Sequence, residues 1–155
     1  MVIKWRETTP DTFLSRRPKI RVKMLKKFYD TDTQVRITTI NSVSKWNEFA
    51  KTCILPWYNN SLSWSNPSAA NLGLTTYALQ HPAKLWNKEI TLMAAFHTLL
   101  KTRLIVDGCH RAVAVETSAN ERQCVPNTEV IECYGSQLHA IFPCDFCNLI
   151  SPRLQ

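Results

Sequence analysis

The sequence predicts a single α+β domain, and three segments carry that prediction. Val35 to Ile40 alternates and is rich in β-branched residues, which is typical of a strand. Lys84 to Lys101 repeats apolar residues near helical spacing and predicts an amphipathic helix. Arg103 to Ser118 indicates a strand, a turn at Gly108 and a second helix. Because 155 residues suffice for one sizeable core, we expect one domain over residues 1–155.

Shorter patterns predict the elements of the N-terminal part. We expect residues 1–17 to be irregular, and Ile20 to Phe28 to form either a strand or a short helix. Ser42 or Ser44 is positioned to cap a helix over Lys45 to Cys53. The predicted buried face of that helix consists of Trp46, Phe49 and Ala50.

Turn residues and apolar runs predict the elements of the C-terminal part. Leu55 to Gly73 is rich in Asn, Ser and Pro and predicts a long loop. The loop has aromatic side chains that either fill the core or stack on a base, namely Trp57, Tyr58 and Trp64. His97 lies on or beside the apolar stripe of its predicted helix, which favours a hydrogen-bonded core histidine over a ligand. Val130 to Tyr134 and Leu138 to Phe142 predict a β-hairpin around Gly135 and Ser136.

Hydropathy gives an expectation about location. No apolar run approaches the roughly 18 residues of a membrane span. The N-terminus is charged and has no apolar segment of the kind that a secretory signal requires. We therefore expect a cytoplasmic protein with no membrane partner.

The positive charge is concentrated in a basic N-terminal segment, residues 1–36. The chain has a formal net charge of +7, and this segment holds ten Lys and Arg against four Asp and Glu. Such clustering attracts polyanions, although apolar residues between the charges also fit an ordinary element with one solvated face. The candidate DNA-contacting residues are Arg16, Arg17, Lys26 and Lys27.

The six cysteines allow more than one interpretation. Without a secretory signal we expect reduced thiols, most of them in the role of small buried hydrophobes. A zinc site is the alternative, because Cys144 and Cys147 have CxxC spacing. Its other two ligands would be Cys124 and Cys133, which are separated by eight residues instead of two to four.

The main candidate site is the turn after the strand that ends at Asp107. Cys109, His110 and Arg111 would occupy the first turn of the following helix, where backbone N–H groups and the helix dipole favour anions. A guanidinium grips phosphate oxygens in bidentate fashion, and an imidazole adds a donor that titrates near neutral pH. This combination predicts a site for a di- or triphosphate. An ordinary Asp-Gly turn before a helix is the alternative.

The run Val106-Asp-Gly-Cys-His-Arg-Ala-Val-Ala114 resembles the signature of the ParB/sulfiredoxin superfamily. Members of that superfamily have a strand, an Asp/Glu-Gly-His/Glu-Arg-Arg-type turn and an Ala-rich helix. Free serine kinases have an Asp-Gly-His-His-Arg-type run. Sulfiredoxins have Gly-Gly-Cys-His-Arg, which Gly108 to Arg111 matches letter for letter.

The resemblance implies a small mixed sheet with flanking helices, and a nucleotide-binding core over residues 84–118. It implies that Gly108, Cys109, His110 and Arg111 hold nucleotide phosphates. Lys88 and Thr91 match a Lys-x-x-Ser/Thr pair that faces the nucleotide on a preceding helix of sulfiredoxins. The family also places two strands between that helix and the turn, whereas only Thr102 to Asp107 fits here.

The superfamily's chemistries share phosphoryl handling, in which positioning and charge stabilisation dominate. Together with the basic segment, this favours an ATP-binding phosphohydrolase that acts on or binds DNA, with DNA cleavage as a variant of the same function. ATP and Mg²⁺ are the expected cofactors, and the candidate catalytic residues are Asp107, His110 and Arg111. The alternatives are a small-molecule kinase of the free-serine-kinase type, a sulfiredoxin-like reductase that uses Cys109, and an inhibitory binding module without turnover.

Overall fold

The computed structural model describes residues 3–16, 21–54, 90–142 and 146. These residues form a mixed sheet of six strands with helices on both faces, which confirms the predicted α+β class. In chain order the elements are β1 (Arg6–Thr8), α1 (Pro10–Leu14), α2 (Arg21–Asp30), β2 (Gln34–Ile40), α3 (Val43–Ala50), β3 (Cys53–Ile54), β4 (Ile90–His97), β5 (Thr102–Asp107), α4 (Cys109–Arg122), β6 (Thr128–Gly135) and α5 (Leu138–Ile141). None of the described helices is long and apolar enough to cross a membrane.

The strand order is β1-β2-β6-β4-β5-β3. Strand β6 pairs with β4 in parallel, and β3 pairs with β5 in parallel. The remaining pairs are antiparallel. The two central strands, β6 and β4, come from separate parts of the chain, residues 128–135 and 90–97.

Each face of the sheet has its own apolar core. Alternate residues of β4 point to opposite faces, so Leu92 joins one core and Met93 joins the other. The first core is covered by α3 and α4, with Trp46 and Val115 among its buried residues. The second core is covered by α1, α2 and α5. Its helical side chains are Phe13, Leu14, Phe28, Leu138 and Ile141.

The prediction of a helix over Lys84 to Lys101 is wrong for its described part. Ile90–His97 is strand β4, residues 98–101 form the turn to β5, and residues 84–89 lie outside the described residues. Six of the eight residues of β4 are buried, because helices cover both faces of the sheet. A strand buried on both faces has a continuous apolar run and lacks the alternation that marks a half-exposed strand.

Two further predictions are corrected at the ends of the chain. The segment 1–17 was predicted to be irregular, but its described residues, 3–16, contain β1 and α1. The predicted C-terminal hairpin is also wrong. Its first strand is part of β6, but the second half forms the helix α5. The predicted loop Leu55 to Gly73 lies outside the described residues.

Other predicted elements are confirmed. Arg21 to Phe28, the described part of the segment Ile20 to Phe28, belongs to helix α2, which is one of the two predicted alternatives. The Ser42 hydroxyl accepts a hydrogen bond from the Lys45 N–H and so caps α3. Trp46, Phe49 and Ala50 of α3 are buried as expected. The helix ends at Ala50, so Cys53 begins the short strand β3.

Candidate functional site

The predicted strand, turn and helix are all present around Gly108. This residue has φ +90° and ψ 24° and is the N-cap of α4, a helix of 14 residues. A Cβ atom built there would lie 2.8 Å from Leu92 Cδ2 and 2.9 Å from Arg111 Nη2. Both the backbone conformation and the close packing therefore require glycine.

The start of α4 has the features of an anion-binding helix terminus. Gly108 provides no side-chain cap, and the first turn of α4 contains no acidic residue. The first intrahelical bond runs from the Ala112 N–H to the Gly108 carbonyl at 2.8 Å. The N–H groups of the three residues before Ala112 therefore have no acceptor within the helix. The helix dipole also favours negative charge at this position.

Arg111 extends across this turn. Its side chain is exposed, and its Nη2 donates a hydrogen bond of 3.1 Å to the backbone carbonyl of Thr91 on β4. The guanidinium therefore lies over Gly108, with its Nη2 only 2.9 Å from the position that a Cβ atom on this residue would occupy. One donor is used to fix the group in place, and a guanidinium has five.

The structure describes some of the other predicted site residues fully and others only in part. Asp107 is the exposed last residue of β5, and Thr91 is on strand β4 instead of a helix. The prediction of a helical Lys88-x-x-Thr91 pair is therefore wrong for Thr91, which meets the site through its carbonyl. Lys88 lies outside the described residues. The backbones of Cys109 and His110 form the first turn of α4, while their side chains lie outside the described part.

A second helix begins at the same end of the sheet. Ile40 of β2 and Ile90 of β4 both pair with Thr128 of β6, so β2 ends where β4 and β6 begin. Asp107, at the end of β5, pairs with Met93 near the start of β4. Helices α3 and α4 follow β2 and β5, so both start at this end. The sequence predicted both helices, but only the pairing of the strands places their starts together.

The basic segment is divided between two regions of the molecule. Arg16 Nη2 lies 3.9 Å from Glu129 Oε1, and Glu129 is in register with Thr91. Arg16 thus lies at the end of the sheet where α4 starts. Lys26 and Lys27 are exposed in the second half of α2, which leads into the opposite end of β2. Arg17 lies outside the described residues.

A buried ionic network is the main feature that the sequence did not predict. The Glu132 side chain is fully buried, and its carboxylate accepts hydrogen bonds from Arg36 Nε at 2.9 Å and from Arg36 Nη2 at 2.6 Å. Arg103 donates to both oxygens of the same carboxylate. Arg103 also donates to the Thr52 hydroxyl at 2.7 Å. The network joins three strands, β2, β6 and β5, across one face of the sheet.

Aromatic rings enclose the two guanidinium groups. The Arg36 Cζ atom lies 4.3 Å from the ring centroids of Trp5 and Tyr134. The Arg103 Cζ atom lies 4.6 Å from the Phe49 ring. Burial alone would lower the pKa of Arg103, but the charge and hydrogen bonds of Glu132 outweigh this effect and raise that pKa. We therefore assign the network to the packing of the fold and not to the turn at Gly108.

Two of the cysteines fit the prediction of small buried hydrophobes. Cys53 and Cys133 are buried, and burial raises the pKa of both thiols well above the usual range. Cys124 is exposed, while Cys144 and Cys147 lie outside the described residues. Among the side chains that the structure describes, no group of three or more His, Cys, Asp or Glu is arranged to hold a metal ion.

Glu116 of α4 links two helices that start at the same end of the sheet. Its carboxylate accepts a hydrogen bond from the Trp46 Nε1–H and another of 3.0 Å from Asn120 Nδ2. Trp46 is on α3, so Glu116 connects α4 to α3.

No family model, no curated protein and no solved structure matches the chain. Because a fold by itself hosts many functions, the function must be inferred from the chemistry of the turn between Asp107 and Arg111.

Proposed function

We propose that the turn from Asp107 to Arg111 binds the phosphates of a nucleotide, and that the protein is an ATP-binding phosphohydrolase that acts on or binds DNA. The observation that supports this most is the position of the Arg111 guanidinium over Gly108, at the uncapped start of α4. A cation, the first-turn N–H donors and the positive end of a helix dipole then act on one small volume.

The residues of the turn suit separate roles. Arg111 is held by Thr91 and can donate its other N–H groups to phosphate oxygens. The first-turn N–H groups of α4 would bind the same oxygens. Asp107 is an exposed carboxylate at the edge of this volume, so it fits the one or two carboxylates that Mg²⁺ uses alongside substrate phosphates. Asp107 can alternatively orient His110, the expected donor near the reacting phosphate.

The number of strands before the turn is a further support for the proposal. The resemblance implies two strands directly before the turn, and β4 and β5 both precede Gly108. The residues directly before β4, where the resemblance implies a helix, lie outside the described residues.

Replacing Arg111 with Ala tests the nucleotide site. We expect ATP·Mg²⁺ binding to weaken by about 1.5–3 kcal/mol, the scale of hydrogen bonds to a charged group. Isothermal titration of both proteins gives the two affinities. Arg122→Ala, in the last turn of the same helix, is the matched control and should bind like the unmodified protein. Equal affinities for Arg111→Ala and the unmodified protein, or no binding by the latter, would exclude the proposed site.

Salt dependence tests the DNA partner. If about four phosphates are neutralised, a plot of the logarithm of the duplex binding constant against the logarithm of the salt concentration should have a slope of about −3.6. Replacing Arg16, Arg17, Lys26 and Lys27 with Gln should flatten this slope. ATP binding should remain nearly unchanged, because Arg16 follows α1 and both lysines lie on α2, and these two helices cover the opposite face of the sheet from α4. Fluorescence anisotropy with labelled duplex at several salt concentrations measures the slope.

The control for this experiment removes the same charge from other exposed positions. Its substitutions to Gln are at Lys4, Lys51, Lys101 and Arg122. If the control flattens the slope as much as the test variant, the effect is one of net charge and not of the basic segment. If the unmodified protein does not bind DNA at low salt, the small-molecule kinase becomes the leading function.

A further inference from the structure

A pair of histidines connects β4 to α5 in the second core, on the opposite face of the sheet from α4. His97 is fully buried, and its Nε2 lies 3.1 Å from Nδ1 of His139. The two rings are nearly parallel, with centroids 5.3 Å apart. Phe146 packs edge-on against His97 at 5.4 Å. The pair is the polar centre of an otherwise apolar contact.

A backbone hydrogen bond fixes the protonation of this pair. The Leu100 N–H donates to His97 Nδ1 at 3.3 Å, so that nitrogen carries a lone pair. The proton of neutral His97 is therefore on Nε2 and is donated to Nδ1 of His139. Both rings are neutral in this arrangement. A metal ion between the two facing nitrogens is disfavoured as well, because His97 Nε2 carries the proton.

An added proton has no favourable place in the pair. On His97 Nδ1 it would face the Leu100 N–H, which is itself a donor. On His139 Nδ1 it would face the Nε2–H of His97. Either protonation places two donors face to face and breaks one of the hydrogen bonds that hold the pair.

The other ionisable groups around His97 do not remove this conflict. Burial, and next the charge of His139, lower the pKa of His97, whereas Asp32 acts in the opposite direction. Hydrogen bonds from Ser136 lower the pKa of Asp32, so it stays ionised throughout the range in which histidines titrate. Cys133 of β6 remains a neutral thiol because burial raises its pKa. Lys101, in the turn after β4, is exposed. On β5, Thr102 pairs with His97, and the neighbouring Arg103 is directed to the other face of the sheet, where it binds Glu132.

We propose that His97 and His139 form a proton-operated latch, which fixes α5 on the sheet while both rings are neutral and releases it when the pair takes up a proton. Helix α5 has four residues, Leu138–Ile141, and a helix this short depends on tertiary contacts. Its release would expose apolar surface of the second core at mildly acidic pH. The apolar residues concerned are Leu138 and Ile141 of α5, and Phe142 and Phe146, which follow it in the chain.

The sign of the pH dependence follows from the lowered pKa of His97. The unfolded chain has the ordinary histidine pKa of about 6.5. The stabilisation is therefore complete above that value and is lost as the pH falls through the folded pKa of His97. Between about pH 6.5 and the folded pKa of His97, each unit of acidification should increase the opening of α5 about tenfold for one proton, and the increase should level off below the folded pKa.

Amide hydrogen exchange at pH 7.5 and pH 5 tests the latch, after correction for the intrinsic pH dependence of exchange. We expect the amides of Ala140 and Phe142, which donate within the α5 region, to lose protection at pH 5. Amides of β6 should keep theirs. His97→Phe retains an aromatic ring against Phe146 but cannot titrate, so it should abolish the pH response. His81→Gln, a substitution outside the described residues, should leave the response intact.

Nitrogen-detected NMR of the unmodified protein gives a second measurement, which does not depend on how the variants fold. We expect the His97 proton on Nε2 at pH 7.5. A proton on Nδ1 instead, or equal protection of α5 at the two pH values, would overturn the proposal. A pH response that survives in His97→Phe and disappears in His81→Gln would overturn it too.

Discussion

Replacing Glu132 with Gln is expected to lower the free energy of unfolding by about 3–5 kcal/mol, the usual effect of breaking a buried ion pair by removing one partner. Glutamine keeps the shape of the side chain but removes the charge. The guanidinium groups of Arg36 and Arg103 would then share a buried site with no carboxylate, and Arg103 is only 6% exposed. Neither group can lose its proton to relieve this, because arginine stays charged in proteins.

Urea unfolding of the two proteins measures this effect, and Glu129→Gln provides the matched control. Glu129 is on the same strand, but its side chain is 27% exposed and faces Arg16 at 3.9 Å. An ion pair of that kind contributes at most about 1 kcal/mol. Similar losses in the two variants would show that the network contributes no more than a surface ion pair.

An apolar replacement of the whole network separates charge from packing. If Arg36, Arg103 and Glu132 are replaced together by Met, Met and Leu, no buried charge is left without a partner. Such replacements are often neutral or stabilising in other proteins. We expect this triple variant to be more stable than Glu132→Gln, although it removes more hydrogen bonds.

The elements predicted correctly from the sequence include exposed as well as buried positions. Strand β2 is rich in β-branched residues, and it contains exposed residues, Gln34 and Thr39, beside the buried Val35 and Ile40, so its sequence differs from the apolar run of β4. Helix α3 shows one apolar face and a serine cap. Strand β4 has neither signal, because both of its faces are covered.

The buried network could not be predicted for a different reason. Arg36 and Glu132 are 96 residues apart, and they meet only because β2 and β6 pair in one particular register. A shift of one residue would move Glu132 to the other face of the sheet. The sequence shows a charged residue within an apolar strand, but not the partners that allow it to be buried.

The candidate site was predicted more fully, because most of it is local. Asp107, Gly108 and Arg111 are close in sequence, and the turn conformation follows from an Asp-Gly pair before a helix. Two parts of the site depend on the sheet instead. One is the hydrogen bond from Arg111 to Thr91. The other is the location of the first residues of α3 and α4 at the same end of the sheet.

Gly108→Ala should damage both the fold and the site. The φ of +90° lies in a region that costs an alanine about 1–3 kcal/mol, and the new Cβ would also contact Leu92 and Arg111. Leu92 is fully buried, so the Arg111 guanidinium is the neighbour that can move most easily. We therefore expect a lower free energy of unfolding in urea, together with weaker ATP·Mg²⁺ binding by the folded protein.

Gly135→Ala is the matched control, because a Cβ at Gly135 would lie 2.8 Å from Asp32 Oδ1 while the backbone has no positive φ. This substitution tests the effect of a crowded Cβ without backbone strain. Gly135 is at the end of β6 that lies away from the Gly108 turn, so ATP binding should be unaffected. Gly108→Asn separates the two causes at the site itself, since Asn tolerates positive φ better than Ala but adds more atoms. If Asn restores stability without restoring binding, strain governs the fold and the space over the turn governs the site. Unchanged stability and binding in Gly108→Ala would contradict the requirement for glycine at the start of α4.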